Sequence, residues 1–362
     1  MVTGLGTSIE SDLKTQSICP VFESCGGCLY QHLAYEDELR LKREELVSLL
    51  AEAAVAAPEK VGAVVPSPDI YHYRHRLDIG IYRLRGGELV MGFRKEGTHR
   101  TIPVDRCWIA KKNISDFLPE LGRLAAERLP PKYRTANLVV RTGDDGRIFW
   151  GGIGRRSLEM EEKDYLWTEI GGRKVYYSLE TFFQANLSIL PRLIETIRAT
   201  GLFRARPEFF DLYSGVGLFG LCLEPDAAGV WMIEECAGSS KLAAYNIQRH
   251  GLQEKVKQIH GKVEEHLERL LARSGHGSKI AMIDPPRAGL SPAVSALLAV
   301  MSKSASPAGF EALLYLSCSP ASLVRDLRIL TAGSWRLERI LPFDFFPRTR
   351  HLETLAVLRP VA

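Results

Sequence analysis

Three groups of residues in this 362-residue chain have the types and spacing to do chemistry. The first is Cys318, within "LLYLSCSPASLVRDL" at 313–327. An apolar strand pattern brings this cysteine to a turn at Ser319-Pro320, and a helical pattern follows. A thiol becomes a nucleophile when its thiolate is stabilised and substrate can reach it. A strand end in front of a helix N-terminus could supply both conditions. A packed cysteine acting as a small hydrophobe is the alternative at any single position, and Cys222 and Cys236 read that way. His351 and Glu353, in "FFPRTRHLETLAVLR", precede an alternating apolar strand. A carboxylate at such a strand edge is either a general base or a surface residue.

The second group is "CPVFESCGGCLYQH", which spaces Cys19, Cys25 and Cys28 as C-x5-C-x2-C. Three soft ligands so close together call for a fourth, and Cys107 in "VDRCWIA" is the best candidate. Four thiolates suit a structural zinc or a 4Fe-4S cluster, and the spacing leaves both open. Unrelated reduced cysteines are the remaining reading.

The third group is the loop "FFDLYSGVGLFG", with Gly215, Gly217 and Gly220 as G-x-G-x-x-G after a strand. Glycines there allow a tight turn and close approach of a ligand to a helix N-terminus. Glu234 ends the next strand, 23 residues after Asp211, where it could accept from a ribose hydroxyl. The glycine pattern fits a dinucleotide or S-adenosylmethionine equally. Asp211 before the loop disfavours a pyrophosphate and favours a cationic sulfonium and ammonium. Further on, "MIDPPRAGL" places Asp284-Pro285-Pro286-Arg287 at a strand end. Two prolines stop a ladder and stiffen the chain, either as a plain strand stop or as a cleft edge beside a flipped-out base.

The elements that must hold these groups follow from periodicity. Residues 33–50 read as an amphipathic helix, with Glu36→Arg40 and Glu38→Lys42 at i,i+4. From 61 to about 153, short alternating runs broken by Gly-Gly and Gly-Asp-Asp-Gly predict antiparallel hairpins, with a helical insert over 114–128. After 178 the rhythm is α/β: a helix over "TFFQANLSILPRLIETIRATG", then strands at "EFFDLY", "GVWMIE", "VKQIHG", "KIAMIDPP" and "ALLYLSCSP" with helices between. That order predicts a doubly wound parallel sheet with its site at the strands' carboxyl ends. The expected organisation is a flexible tail over 1–18, a cysteine segment and helix over 19–60, a β-rich domain over 61–178, and an α/β domain over 179–362.

Composition limits the function classes. The N-terminus lacks the pattern of a signal peptide, and no apolar run approaches the ~18 residues of a membrane span. Seven cysteines at uneven spacing suit a reduced cytoplasm better than a disulfide framework. Net charge is only +4, but Tyr71–Lys112 holds ten Lys/Arg against four Asp/Glu, with His72, His75, His99 and several Tyr interleaved. Such a stretch is either a phosphate-backbone footprint or a solvated face.

Seven segments together carry a resemblance: "CGGCLYQH", "GFRKEGTHRTIPVDRCWI", "FFQAN", "DLYSGVGLFGL", "DPPRAGL", "SCSPASLVRDL" and "HLETLAVL". In this order they resemble the RNA uracil-C5 methyltransferases, specifically the iron–sulfur members that make 5-methyluridine in 23S rRNA. The resemblance spans about 19–359 and implies a class I, Rossmann-like methyltransferase domain. It implies Cys318 as the nucleophile at uracil C6 and Glu353 as the acceptor of the C5 proton. It places Gln184, Tyr213, Gly215, Leu218, Glu234 and Asp284 around S-adenosylmethionine, with Asp284 also able to orient the uracil. It makes Cys19, Cys25, Cys28 and Cys107 ligands of a 4Fe-4S cluster. A structured RNA is the implied partner, with no membrane and no obligate protein partner, and a cytoplasmic monomer is expected.

There are departures. Many relatives carry an N-terminal RNA-binding β-barrel, expected to be missing here because 18 residues precede Cys19. The common "SCNP" is "SCSP", and Leu218 replaces a frequent polar residue, so contact there must be through backbone. The alternatives are a tRNA uridine-C5 enzyme, an RNA cytosine-C5 enzyme and a non-catalytic iron–sulfur RNA-binding protein. A nicotinamide enzyme would leave Cys318, Asp284 and Glu353 unexplained.

Overall fold

The fold is described from a computed structural model for residues 16–361, apart from 96, 99, 155, 274–276 and 306–307. Most of the expected tail over 1–18, and His99 of the basic stretch, lie outside the described residues. The expected amphipathic helix is α1, Tyr35–Glu52. Alternating apolar residues then build strands β1 (Arg76–Arg83), β2 (Leu89–Arg94) and β3 (Thr101–Pro103). Helix α2 (Lys112–Arg128) is followed by β4 (Thr135–Thr142) and β5 (Ile148–Gly151). The sheet is antiparallel in the order β3-β2-β1-β4-β5. Leu77, Ile79 and Ile81 of β1, with Leu138 and Val140 of β4, meet Ile114, Leu118 and Leu121 of α2 in one core. The period-2 and period-3.6 patterns thus bury each other's apolar faces.

A separate hairpin joins β6 (Leu166–Ile170) to β7 (Arg173–Tyr177) through Gly171-Gly172, both at positive φ. Two consecutive left-handed residues match the right-handed twist of the strands they connect. The next helix differs from expectation. Instead of starting near Thr181, α3 spans Leu190–Ala199 with Pro191 in its first turn. Proline is pre-set for a helix start, and residues 181–189 remain outside the helix.

The rest of the chain alternates: β8 (Glu208–Leu212), α4 (Leu218–Leu223), β9 (Gly229–Glu234), α5 (Ala237–Arg249), β10 (Val256–His260) and α6 (Val263–Arg273). Then follow β11 (Lys279–Ile283), α7 (Pro292–Ala299), β12 (Ala312–Ser317), α8 (Pro320–Ala332), β13 (Trp335–Phe343) and β14 (Glu353–Pro360). The sheet order is β10-β9-β8-β11-β12-β14-β13. The first five strands are parallel, while β14 is antiparallel to both neighbours. Alternate residues serve opposite layers: Phe209, Met232 and Leu314 pack with α3, α4 and α5, whereas Phe210, Ile233 and Leu313 pack with α1, α6, α7 and α8. Strands covered on both faces explain why β11 and β12 are buried throughout. Among the described residues, no helix is long and apolar enough to cross a membrane.

Candidate active site

Parallel pairing puts the carboxyl ends of β8, β9, β11 and β12 at one edge, and β14, running the other way, begins there. Ser317 at the end of β12 pairs with Thr354 of β14, and Cys318, the next residue, lies within reach of the Glu353 charge. Asp284 follows β11, and Tyr213 follows β8 in a left-handed conformation at φ 65°. Five of the expected site residues, Tyr213, Glu234, Asp284, Cys318 and Glu353, therefore share one edge because of topology alone.

Ser319 caps α8, its hydroxyl accepting from the Ser322 amide at 3.4 Å. Pro320 takes the first turn. The serine does there what a short polar side chain generally does at this position. The Ser319 amide in turn donates to the Ser317 hydroxyl at 3.2 Å. These amides are engaged with hydroxyls, and the expected thiolate stabilisation by the helix terminus does not prevail. Burial, then the neighbouring Glu353 carboxylate, pushes the Cys318 thiol up to about 11, with Arg287 opposing. The thiol is thus a resting thiol, protonated at neutral pH.

Glu353 and Asp284 act on it, and with Asp211 further along the edge they are three carboxyls under the same pressure of burial. Glu353 is buried, and burial followed by the Asp284 charge raises it well above the usual range, with Arg287 opposing. Its Oε2 has no hydrogen-bond partner. Asp284 is pushed up to about 7 by burial, against the Gln184 amide that donates to it at 3.4 Å. Asp211 is pushed up to about 8 by burial, although the Gly220 amide donates to Oδ2 at 2.8 Å. Its Oδ1 has no hydrogen-bond partner. Buried acids starved of counter-charge make an environment that favours a cationic ligand. This sharpens the reading of Asp211, whose carboxyl already holds the first turn of α4.

The glycine loop is shaped by close packing. A Cβ at Gly217, where φ is 95°, would lie 2.7 Å from Met232 Cε, and one at Gly220 would lie 2.6 Å from Met232 Sδ. Helix α4 can approach β9 only without those side chains. Glu234 accepts from the Gly215 amide at 2.8 Å and from the Cys236 amide at 2.7 Å, tying the loop to the end of β9. Leu218 is buried at the start of α4, and Gln184 is buried beside Asp284.

Two residues given no role from sequence also act here. Arg287 lowers the charge strain on both Cys318 and Glu353, and a cation straight after Pro-Pro was the available signal. Arg141, on β4 of the other sheet, is buried and donates to the carbonyls of Ser178 at 2.6 Å, Thr181 at 2.8 Å and Phe183 at 3.3 Å. It holds the segment that presents Gln184, and nothing local in its own strand pattern marks it.

The cysteines gather elsewhere. Cys19, Cys25, Cys28 and Cys107 line one cavity of about 190 Å³ with Phe22, Arg74 and Trp108. The backbone at Val21 beside Cys19, at Gly27 beside Cys25, and at Ile109 and Ala110 beside Cys107 opposes the effect of burial on these thiols. Burial pushes Cys28 up to about 12 and Cys107 up to about 11. Among the described residues, no group of three or more His, Cys, Asp or Glu side chains is arranged to hold a metal ion.

With this geometry in place, comparison with known proteins is informative. Residues 153–360, more than half of the chain, match the family described as tRNA (uracil-5-)-methyltransferase. An uncharacterized RNA methyltransferase of Clostridium acetobutylicum is 25% identical over 97% of this chain and 85% of its own. One from Caldanaerobacter subterraneus is 26% identical over 96% and 86%. The tRNA (uracil-54, C5)-methyltransferase of Pyrococcus abyssi, solved with S-adenosyl-L-homocysteine, superposes with a TM-score of 0.68 at 21% identity, covering 94% of this chain and 86% of that one. That likeness shows the mixed α/β methyltransferase fold. The chain belongs to the tRNA (uracil-5-)-methyltransferase family and is an RNA methyltransferase.

Proposed function

We propose that this enzyme methylates C5 of a uridine in structured RNA, ribosomal 23S RNA by its resemblance to the iron–sulfur members, through a covalent bond from Cys318. The observation that carries this reading is that Cys318, just after the Ser317–Thr354 pair of β12 and β14, lies close enough to Glu353 for the carboxylate to act on its thiol, and that Glu353 holds a buried oxygen with no hydrogen-bond partner among the described residues. S-adenosylmethionine supplies the methyl group. Its cationic end suits the acid cluster of Asp211 and Asp284, and its adenosine portion suits the loop at Tyr213, Gly215, Leu218 and Glu234, with Gln184 alongside.

Cys318 releases its proton to solvent and its thiolate adds to C6, and the C5–C6 π electrons move toward the C4 carbonyl as an enolate. The enolate returns its electrons through C5, which forms the new bond to the methyl carbon as the sulfonium–methyl bond breaks and S-adenosyl-L-homocysteine leaves with that electron pair. Glu353 then takes the C5 proton, the C5–C6 double bond re-forms, and the thiolate leaves. With its thiol pushed up to about 11 at rest, Cys318 needs a stabilised thiolate in the RNA-bound enzyme before it can attack. Arg287, close to both groups, can offset the negative charge that develops as the thiol ionises.

The cysteine cavity is read as the seat of a 4Fe-4S cluster. Four cysteines on the walls of one cavity support that assignment, since thiolates are the ligands of such clusters. Metal binding would override the raised thiol values, because ligation requires thiolates. Residues 19–60, 61–178 and 179–362 are taken as the cysteine, RNA-binding and methyltransferase units of a cytoplasmic monomer.

The test is 5-methyluridine mapping in total RNA with and without the gene. One rRNA uridine is expected to lose its methyl group and to regain it with the wild-type gene but not with Cys318→Ala. Loss from tRNA instead would reassign the substrate, and loss of a 5-methylcytidine would reassign the base.

A further inference from the structure

Glu38 and Lys42 stand at the i,i+4 spacing of the amphipathic helix α1, a spacing common to exposed ion pairs. Both side chains are instead almost wholly buried, and Lys42 Nζ donates to Glu38 at 2.8 Å and to Asp344 Oδ1 at 2.8 Å. Asp344 opens the connection between β13 and β14, which ends at Glu353. The same ammonium donates to the Phe346 carbonyl at 3.2 Å. The Tyr35 hydroxyl donates to Asp344 Oδ2 at 2.9 Å.

Glu38 goes on to hold Arg348. Its carboxylate accepts from the Arg348 amide at 2.7 Å and from Nη1 at 3.3 Å, while Nη1 also donates to the Leu33 carbonyl at 2.9 Å. Arg348 sits in the left-handed region at φ 69°, a conformation that costs energy for a side-chain-bearing residue. Its carbonyl accepts from the Leu29 and Tyr30 amides at 2.7 and 3.1 Å, immediately after Cys28. The connection is thus clamped at Asp344, Phe346 and Arg348 by the N-terminal segment, a few residues before Glu353.

Buried ion networks contribute little net stability, since desolvation offsets their attraction, but they fix geometry. From this we propose that Glu38, Lys42, Asp344 and Arg348 are positioning residues for Glu353, setting the proton-removal step of the covalent reaction. The inference rests on Glu353 being the base. It predicts that loosening the clamp slows release of the methylated adduct and leaves methyl transfer and S-adenosylmethionine KM nearly untouched.

The test measures the methylated protein–RNA adduct trapped by acid quench during turnover on unmodified RNA. Glu38→Gln keeps the shape of the side chain and weakens its hold on Lys42 and Arg348. Arg348→Met removes the Nη1 bonds, and Arg348→Lys restores a cation. Glu38→Gln and Arg348→Met should raise the adduct fraction by about tenfold, the scale expected for slight misplacement of a reacting group. Arg348→Lys should lie between Arg348→Met and wild type. Folded variants that lose activity with a wild-type adduct fraction would overturn the proposal. Glu353→Gln is the reference: it should accumulate adduct more strongly than either. If it accumulates none, Glu353 is not the base, and the proposal fails with that reading rather than on its own.

Discussion

Arg141 offers a quantitative test of how one sheet presents the cofactor side of the other. Its guanidinium is buried and donates to three carbonyls of the segment leading to Gln184. It also lies over the Tyr177 ring at 4.5 Å. In Arg141→Met the volume is roughly kept while three buried carbonyls lose a charged donor, at ~1.5–3 kcal/mol each, or about 4.5–9 kcal/mol together. Burial holds the Arg141 guanidinium down at about 10. Relative to an ordinary arginine, that corresponds to about 3 kcal/mol of desolvation, which the methionine no longer bears. The difference leaves roughly 1.5–6 kcal/mol of destabilisation, or on the order of 5 °C in a thermal melt for a chain of this size. Phe183, one of the three anchors, directly precedes Gln184, so calorimetry should show S-adenosylmethionine binding weakened about tenfold. A melt within 1 °C or so of wild type would refute the energetic argument. A lowered melt with unchanged cofactor affinity would refute the positioning argument and leave Arg141 a purely structural residue.

Other outcomes follow from the same coordinates. Folding raises Asp211 and Asp284 to about 8 and about 7. Their stabilising contribution is therefore complete below the unfolded value of ~4 and is lost as pH rises toward those raised values. The ligand-free melting temperature should accordingly fall from about pH 5 to about pH 8 more steeply in wild type than in Asp211→Asn, measured by calorimetry. Gly220→Ala should cost about 1–3 kcal/mol in chemical denaturation, because its Cβ meets Met232 and has little room to relax. Cys107→Ser should lower iron and acid-labile sulfide together in anaerobically purified protein. Stoichiometric zinc without sulfide in the wild type would replace the cluster assignment.

Much of the site is legible in the chain because its residues sit at pattern breaks. Asp284, Cys318 and Glu353 each stand where an apolar run ends or begins, and parallel strands carry such breaks to a common edge. The glycine loop is legible for the same reason, since the absence of side chains is itself a signal. What periodicity cannot convey is partnership across distance. Glu38 and Lys42 look like a helix-surface pair at i,i+4 because the buried acid that completes them, Asp344, is far away in sequence. Arg141 looks like one member of a strand because its partners are backbone carbonyls, which any sequence provides. The 181–189 segment reads as helix by its apolar spacing, yet Pro191 delays the start, Arg141 donates to the Thr181 carbonyl, and Asn186 donates to Ser67 and to the Phe345 carbonyl, which holds the loop. The Cys318 thiol was expected to be lowered by the α8 terminus. Its elevation depends on burial and on Glu353, neither of which is local.

The central claim is that Cys318 bonds to the base. Incubation with S-adenosylmethionine and an RNA carrying 5-fluorouridine at the target position tests it most directly, because fluorine cannot be removed as a proton and the adduct persists. Mass spectrometry of the digested complex should find the methylated fluorouridine on the peptide containing Cys318, and none with Cys318→Ala. An adduct on another cysteine, or wild-type methylation of normal RNA by Cys318→Ala, would contradict the account.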